Sequence, residues 1–293
     1  MPHSNPARRI LVAFLGLALT TTIVATAAAQ SNSPGTLFQW SYGASFEGGP
    51  NLDEPIVTDR PDFTEASSTV GAGVFQLESG YTYVYNDNGG GIESHSFGEP
   101  LLRVGALANW FEFRFAWNYL AESSAIGGTT TRIDGADDLY LGAKIGLTPQ
   151  EGILPEMALI PQMYVPVGHD AFTANQVLPG VNWLYGWDVT DFVSTAGSTQ
   201  INRRVDGMTA EPYYELAQSW TIGYTLTDRL GAYTEWFALF PSGADSDPTQ
   251  HYLDGGFTYL VTDNFQLDIR AGKGLSGGAD DYFLGAGASI RAW

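Results

Sequence analysis

From Val74 onward the chain alternates between apolar and polar residues. Phe75, Leu77, Tyr81, Tyr83 and Tyr85 fall on one side of the first run, and Gln76, Glu78, Gly80 and Thr82 on the other. A period of two marks a strand with one apolar face. The same pattern is clearest at Phe111 to Tyr119, where Phe111, Phe113, Phe115, Trp117 and Tyr119 alternate with Glu112, Arg114, Ala116 and Asn118. In a helix those charges would be scattered through the apolar stripe. Alternation continues at Val74 to Tyr85, Phe97 to Leu107, Asp138 to Leu147, Met157 to Val167, Val181 to Val189, Phe192 to Ile201, Tyr213 to Leu226, Leu230 to Phe240, His251 to Leu260, Phe265 to Gly272 and Tyr282 to Trp293. Of these, Phe192 to Ile201 is the weakest, and Pro161 and Pro166 weaken Met157 to Val167.

About twelve strands therefore follow one another, joined alternately by turns of a few residues and by longer loops such as Ala121 to Ala136, Gly168 to Gln176 and the polar stretch holding Arg203, Arg204 and Asp206. Short turns on one side and long loops on the other are the organisation of an antiparallel transmembrane β-barrel with short periplasmic turns and longer external loops. A secreted β-sandwich is the alternative. Three features favour lipid. The strands run to about ten residues, the length of a tilted crossing. Aromatics recur near the ends of the apolar faces, as at Tyr85, Trp183, Trp187 and Tyr224, where interfacial girdles sit. The opposite faces carry charges, which would cost about 2–4 kcal/mol each at mid-bilayer if turned outward.

Upstream of the alternating region the character changes twice. Arg8 and Arg9, an apolar run from Ile10 and Ala27-Ala28-Ala29 read as a cleaved secretory signal peptide over residues 1–29. Residues 30–72 are rich in Ser, Gly, Pro and Asp and lack a sustained period, apart from the aromatic patch Phe38, Trp40, Tyr42 and Phe46. They read as a periplasmic lead-in, or as a mouth or plug segment entering the barrel, with Asp59, Arg60 and Asp62 as its candidate residues. Residues 73–293 form the outer-membrane barrel.

Charge and composition narrow the function. The 293 residues carry 32 acidic side chains against 13 Lys and Arg, a formal charge of -19, and no Cys. Nucleic acid is excluded as a partner because binding it needs a basic footprint, and cysteine-based metal or nucleophile chemistry is excluded outright. The expected partners are outer-membrane lipid, the barrel-insertion machinery and a small solute, and no cofactor or metal is expected.

Several stretches carry a resemblance. Thr-Asp-Arg-Pro-Asp-Phe-Thr-Glu at 58–65, Gly-Val-Phe-Gln-Leu-Glu-Ser-Gly-Tyr-Thr-Tyr at 73–83, Trp110 to Arg114, Asp138 to Lys144, Gln266 to Leu275 and Asp281 to Arg291 resemble the outer-membrane transporter-like family named for a meta-pathway of phenol degradation. The resemblance covers nearly all of residues 55–293. It implies an outer-membrane β-barrel with a transport role, and the family's name suggests aromatic or apolar solutes. Such chains commonly close with an Arg-aromatic pair, whereas here Ala292 stands between Arg291 and Trp293, which puts Trp293 out of phase with Leu284, Ala286, Ala288 and Ile290.

The inward faces supply the candidate site: Glu78, Glu99, Arg103, Glu112, Arg114, Lys144, Glu235, Asp268 and Arg270. Two readings follow from one geometry. The charges staple the lumen as ion pairs, or some of them line a permeation path and set its selectivity. Twelve strands enclose less space than the 16–18 of wide porins, so a narrow or gated conduit is expected. A structural or adhesive surface barrel is a second class. An outer-membrane hydrolase is a third, with His95, His169 and His251 and the acids Asp137, Asp138, Asp170, Asp280 and Asp281 near the external rim, although no His-Glu-x-x-His spacing is present.

Overall fold

The computed structural model describes residues 35–38, 52–87, 91–126 and 129–293; the signal-peptide reading and Trp40, Tyr42 and Phe46 lie outside them. The described strands are β1 (Phe75–Asn86), β2 (Ile92–Gly105), β3 (Phe111–Ala116), β4 (Tyr119–Ile126), β5 (Thr129–Ala136), β6 (Leu139–Thr148) and β7 (Glu156–Val165). They continue as β8 (Leu178–Thr190), β9 (Val193–Val205), β10 (Pro212–Thr225), β11 (Leu230–Ser242), β12 (Gln250–Thr262), β13 (Phe265–Gly274) and β14 (Tyr282–Ala292). All pairings are antiparallel. The first strand pairs with β2 and also with β14, from Phe75↔Ala292 to Tyr85↔Tyr282, so the sheet closes on itself.

Fourteen strand segments make a barrel of twelve wall strands. The pairs β3/β4 and β5/β6 are each one strand, interrupted at Trp117-Asn118 and at Asp137-Asp138. Both halves β3 and β4 pair with β2. At the interruption the Trp117 indole N–H donates to the Asp137 carbonyl at 2.8 Å, and the Asp137 N–H donates to the Asn118 carbonyl at 2.9 Å.

This hairpin corrects the expectation of a loop over Ala121 to Ala136. Residues 129–134 are exposed on both faces, so they have no apolar side to alternate and the pattern vanishes while the strand remains. Their threonines favour the extended backbone, and β4 is held by pairing from Ile92↔Ser124 to Phe97↔Tyr119. A second correction concerns Arg203 and Arg204, which lie in β9 rather than in a loop. Pro161 is tolerated inside β7 because the β6 ladder has no partner pair between Gly142↔Gln162 and Ile145↔Leu159, where its missing donor would have been needed.

The burial pattern is inverted relative to a soluble sheet. Phe75, Phe113, Phe115, Trp183, Trp220, Ile269 and Ile290 are exposed on the outside, while Glu78, Arg103, Glu112, Arg114, Lys144 and Glu235 are buried inside. Exposed aromatics and aliphatics on most of the wall strands make sense only against lipid. Trp293 follows the end of β14 with its ring 5.5 Å beneath the Arg291 guanidinium carbon. Ile269 lies mid-strand in β13 and is 56% exposed. Ile269→Arg is expected to lower the unfolding free energy in phospholipid by about 2–4 kcal/mol, measured by urea titration, whereas Met208→Arg in an external loop leaves it unchanged.

Candidate functional site

Before β1 begins, residues 56–74 run inside the barrel. Ile56 donates its N–H to the Asp263 carbonyl in the β12–β13 turn, and Arg291 reaches the Leu52 and Glu54 carbonyls at 3.3 and 2.6 Å, which fixes where the segment enters. It climbs to Phe63, returns past Glu65 and Ser67, and leaves at Val70 to Gly73. The exit is tight. A Cβ on Gly105 would lie 1.6 Å from the Gly71 carbonyl oxygen, so only glycine lets the segment cross β2 there.

Asp59 is the centre of this arrangement. Its carboxylate accepts from Arg114 Nη1 at 2.5 Å and from Lys144 Nζ at 2.8 Å, and lies 3.3 Å from Arg103 Nη1. Burial by itself would raise its pKa, but the charges of Arg103, Lys144 and Arg114 outweigh burial and hold it far below the usual carboxylate range. The three cations come from β2, β3 and β6 and are at most 1% exposed. Arg103 also bonds Glu112 at 2.9 Å and Glu78 at 3.2 Å, and Arg114 bonds Glu65 at 2.6 Å. The backbone joins in: Glu78 accepts the N–H groups of Asp59 and Arg60, each at 3.0 Å, and Glu112 accepts that of Val70 at 2.8 Å.

The next residue meets the opposite sign. Arg60 donates to Glu99 at 2.7 Å and spans both oxygens of Asp268 at 3.3 Å. Its guanidinium lies against Gly80 and Gly287, which face each other across β1 and β14. A Cβ on either would fall 2.3 or 2.4 Å from it. Arg270 donates to the Pro61 carbonyl at 2.9 Å. Asp62 follows, with its pKa pushed well up by burial and by the negative charge of Glu235.

At the apex, Phe63 stacks on Phe237 with ring centroids 4.6 Å apart, and Phe237 stacks on Tyr252 at the same distance. Glu235 accepts the N–H of Phe63 at 2.6 Å and both the N–H and hydroxyl of Thr64 at 2.8 and 2.6 Å. On the way down Ser67 donates to Glu156 at 2.5 Å. The structure thus gathers Glu78, Glu99, Arg103, Glu112, Arg114, Lys144, Glu235, Asp268 and Arg270 around Asp59, Arg60 and Asp62.

Glu65, Thr64, Phe63 and Glu156 are additional members that the sequence reading did not single out. So are Gly80 and Gly287, whose signal was a bare glycine at an inward position on each of two strands that the ends of the chain bring together. His95, His169 and His251 lie away from this site. His95 bonds the Tyr81 hydroxyl at 2.7 Å, His169 Nδ1 accepts the Ala171 N–H, and His251 packs on Trp236 and Phe240. Among the described residues no group of His, Asp and Glu has the arrangement of a metal site.

Residues 58–292 match the family described as "Putative MetA-pathway of phenol degradation". The chain belongs to this family. The matched region begins with the inserted segment and ends with the closing strand, so the family's pattern takes in both the wall and what lies within it. Among solved structures, the chain is similar to an outer membrane channel from Pseudomonas putida F1, with a TM-score of 0.62, 15% identity, and coverage of 80% of this chain and 99% of that one. It is also similar to the transport unit of the autotransporter AIDA-I from Escherichia coli, with a TM-score of 0.51, 8% identity, and coverage of 75% and 90%. At these identities the likeness establishes the outer-membrane barrel fold. A search of curated proteins finds no match in sequence.

Removing one partner from a buried ionic cluster leaves uncompensated charge and costs about 3–5 kcal/mol. Asp59→Ala is therefore expected to release the segment while sparing the wall. The check is protease cleavage within residues 52–70 in proteoliposomes: the variant should be cut rapidly, the parent slowly, and both should keep heat-modifiable gel migration.

Proposed function

We propose that the protein is a narrow outer-membrane channel for small solutes whose lumen is closed by residues 56–70 and opens when that segment leaves its dock. Export by the signal peptide of residues 1–29 is part of this reading. The observation that carries it is the seating of Asp59 among Arg103, Arg114 and Lys144. A segment bound by charges and hydrogen bonds, rather than by an apolar interface, can exchange its contacts for water when it moves. The wall charges then face an aqueous path and act on whatever passes. The candidate residues thus have two successive roles, clasping the segment when closed and lining the conduit when open.

Planar bilayers test this reading. The parent protein is expected to give small, discrete and infrequent openings, and deletion of residues 30–70 to give a several-fold larger and persistent conductance. Repeated silence of both forms would refute a channel.

The sign of the pH effect follows from Asp62. Its docked carboxyl is raised, so the docked state takes up a proton more readily than the released one and becomes more stable as pH falls through that raised value. Asp59, held low, stays charged throughout. Open probability is expected to rise as pH is raised through the docked Asp62 value, and Asp62→Asn should hold it near the acid-side level throughout.

A further inference from the structure

A cavity of about 210 Å³ lies on the outer side of the apex, bounded by Phe63 and Glu65 of the segment and by the external halves of β7, β9 and β10. We propose that it is a binding subsite for a neutral, polyhydroxylated ring solute of monosaccharide size; the proposal rests on the channel reading and names the solute class that this channel takes. Its volume is below the range typical of drug-sized ligands, which suits a single ring.

The lining decides the chemistry. Tyr140, Gln162, Asn182, Gln200 and Asn202 present neutral hydrogen-bonding groups to it. Four of them already form a relay: the Tyr140 hydroxyl donates to Gln162 at 3.1 Å, Gln162 to Asn202 at 2.9 Å, and Asn202 to Gln200 at 3.2 Å. Each amide and hydroxyl in such a chain keeps further donor or acceptor capacity for a ligand.

Asn182 adds an independent observation. It is 1% exposed and donates to Glu65 at 3.2 Å, yet its Oδ1 is buried without a hydrogen-bond partner. A buried acceptor left empty is costly, and a hydroxyl donor from a bound solute would satisfy it.

Charge in the cavity is compensated locally. Arg204 bonds Glu215 at 3.0 Å, and Glu65 is held by Arg114. An ionic solute would have to break one of these pairs, whereas a neutral one leaves both intact. The Arg204 guanidinium carbon stands 5.6 Å from the Tyr164 ring centroid, and Phe63 gives the floor an aromatic side chain for the apolar face of a ring. Apolar aromatic solutes fit poorly. They would bury the amide groups unpaired, and a site built for hydrogen bonding discriminates strongly against analogues that lack them. The outer end is open to entry, since the Arg204 side chain is 35% exposed against 7% for Glu215.

Titration calorimetry on the full-length protein in detergent, with D-glucose, phenol and benzoate as probes, tests the proposal. Saturable glucose binding is expected, weakened about tenfold or more in Asn182→Leu and Asn202→Leu, while Ser246→Ala in an external loop binds as the parent does. If either variant loses heat-modifiable migration, Gln200→Leu takes its place with the same expectation. Saturable binding of phenol or benzoate without glucose would overturn the solute class. Glucose binding unchanged in folded variants would overturn the site. Conducting bilayers without saturable glucose binding refute the subsite and leave the channel standing. Silent bilayers with saturable glucose binding refute the channel and leave the subsite.

Discussion

The interior is organised by one carboxylate facing three cations. On the wall, Arg103, Arg114 and Lys144 face the two carboxylates Glu78 and Glu112; Asp59 supplies the charge that is missing, and Glu65 adds a further partner for Arg114. One residue further along the chain the sense reverses. There Glu99 and Asp268 present negative charge, and Arg60 is delivered between them. A stretch as short as Asp59-Arg60 thus matches two wall sectors of opposite sign. That complementarity sets the register of the segment against the wall, because a shift by one residue would place like charges together. The positions of Phe63 against Phe237 and of Thr64 against Glu235 follow from it.

A barrel facing lipid cannot use apolar side chains to distinguish its inside from its outside, since those are spent on the membrane. Its buried apolar groupings are accordingly small, one built on Phe237, Tyr252, Ala279 and Phe283 and another on Ala158, Ile160 and Leu184. Cohesion of the lumen comes instead from charge-assisted hydrogen bonds, which are stronger than neutral ones and more demanding in geometry. The same polar interior explains why the inserted segment carries so much Ser, Thr, Asp and Glu. In a soluble protein that composition marks a solvated tail, and here it marks the inside of a barrel.

This is also where the sequence was most and least legible. The wall could be read because lipid on one side and a polar lumen on the other enforce strict alternation, as at Phe111 to Tyr119. The β4–β5 hairpin could not, because beyond the bilayer neither face is apolar and Thr129 to Asp134 look like a loop. The inward charges were identifiable one by one from their phase. Their mutual pairing was not, since it depends on how far Asp59 and Arg60 climb, and residues 56–74 have no periodicity from which depth can be measured. Glu65 is the plainest case: nothing next to it in sequence announces Arg114, 49 residues away.

The choice of ions over apolar packing bears on whether the closed lumen is a fixed state. Buried ion pairs are seldom more stabilising than well-packed apolar replacements of the same volume, because both charges must be desolvated. A lumen meant only to be filled would be better filled with Leu and Phe. An apolar plug, however, would expose its own face and a matching patch on the wall whenever it moved. Asp59, Arg60 and Glu65, with Arg103, Arg114, Glu99 and Asp268 opposite them, recover hydration when they part, so release exchanges strong contacts for solvation of comparable strength. Phe63 and its aromatic partners contribute the one apolar contact at the apex, where it holds the tip without dominating the dock. A closure weighted in this way would be held firmly yet remain reversible, the balance that the proposed gated conduit requires.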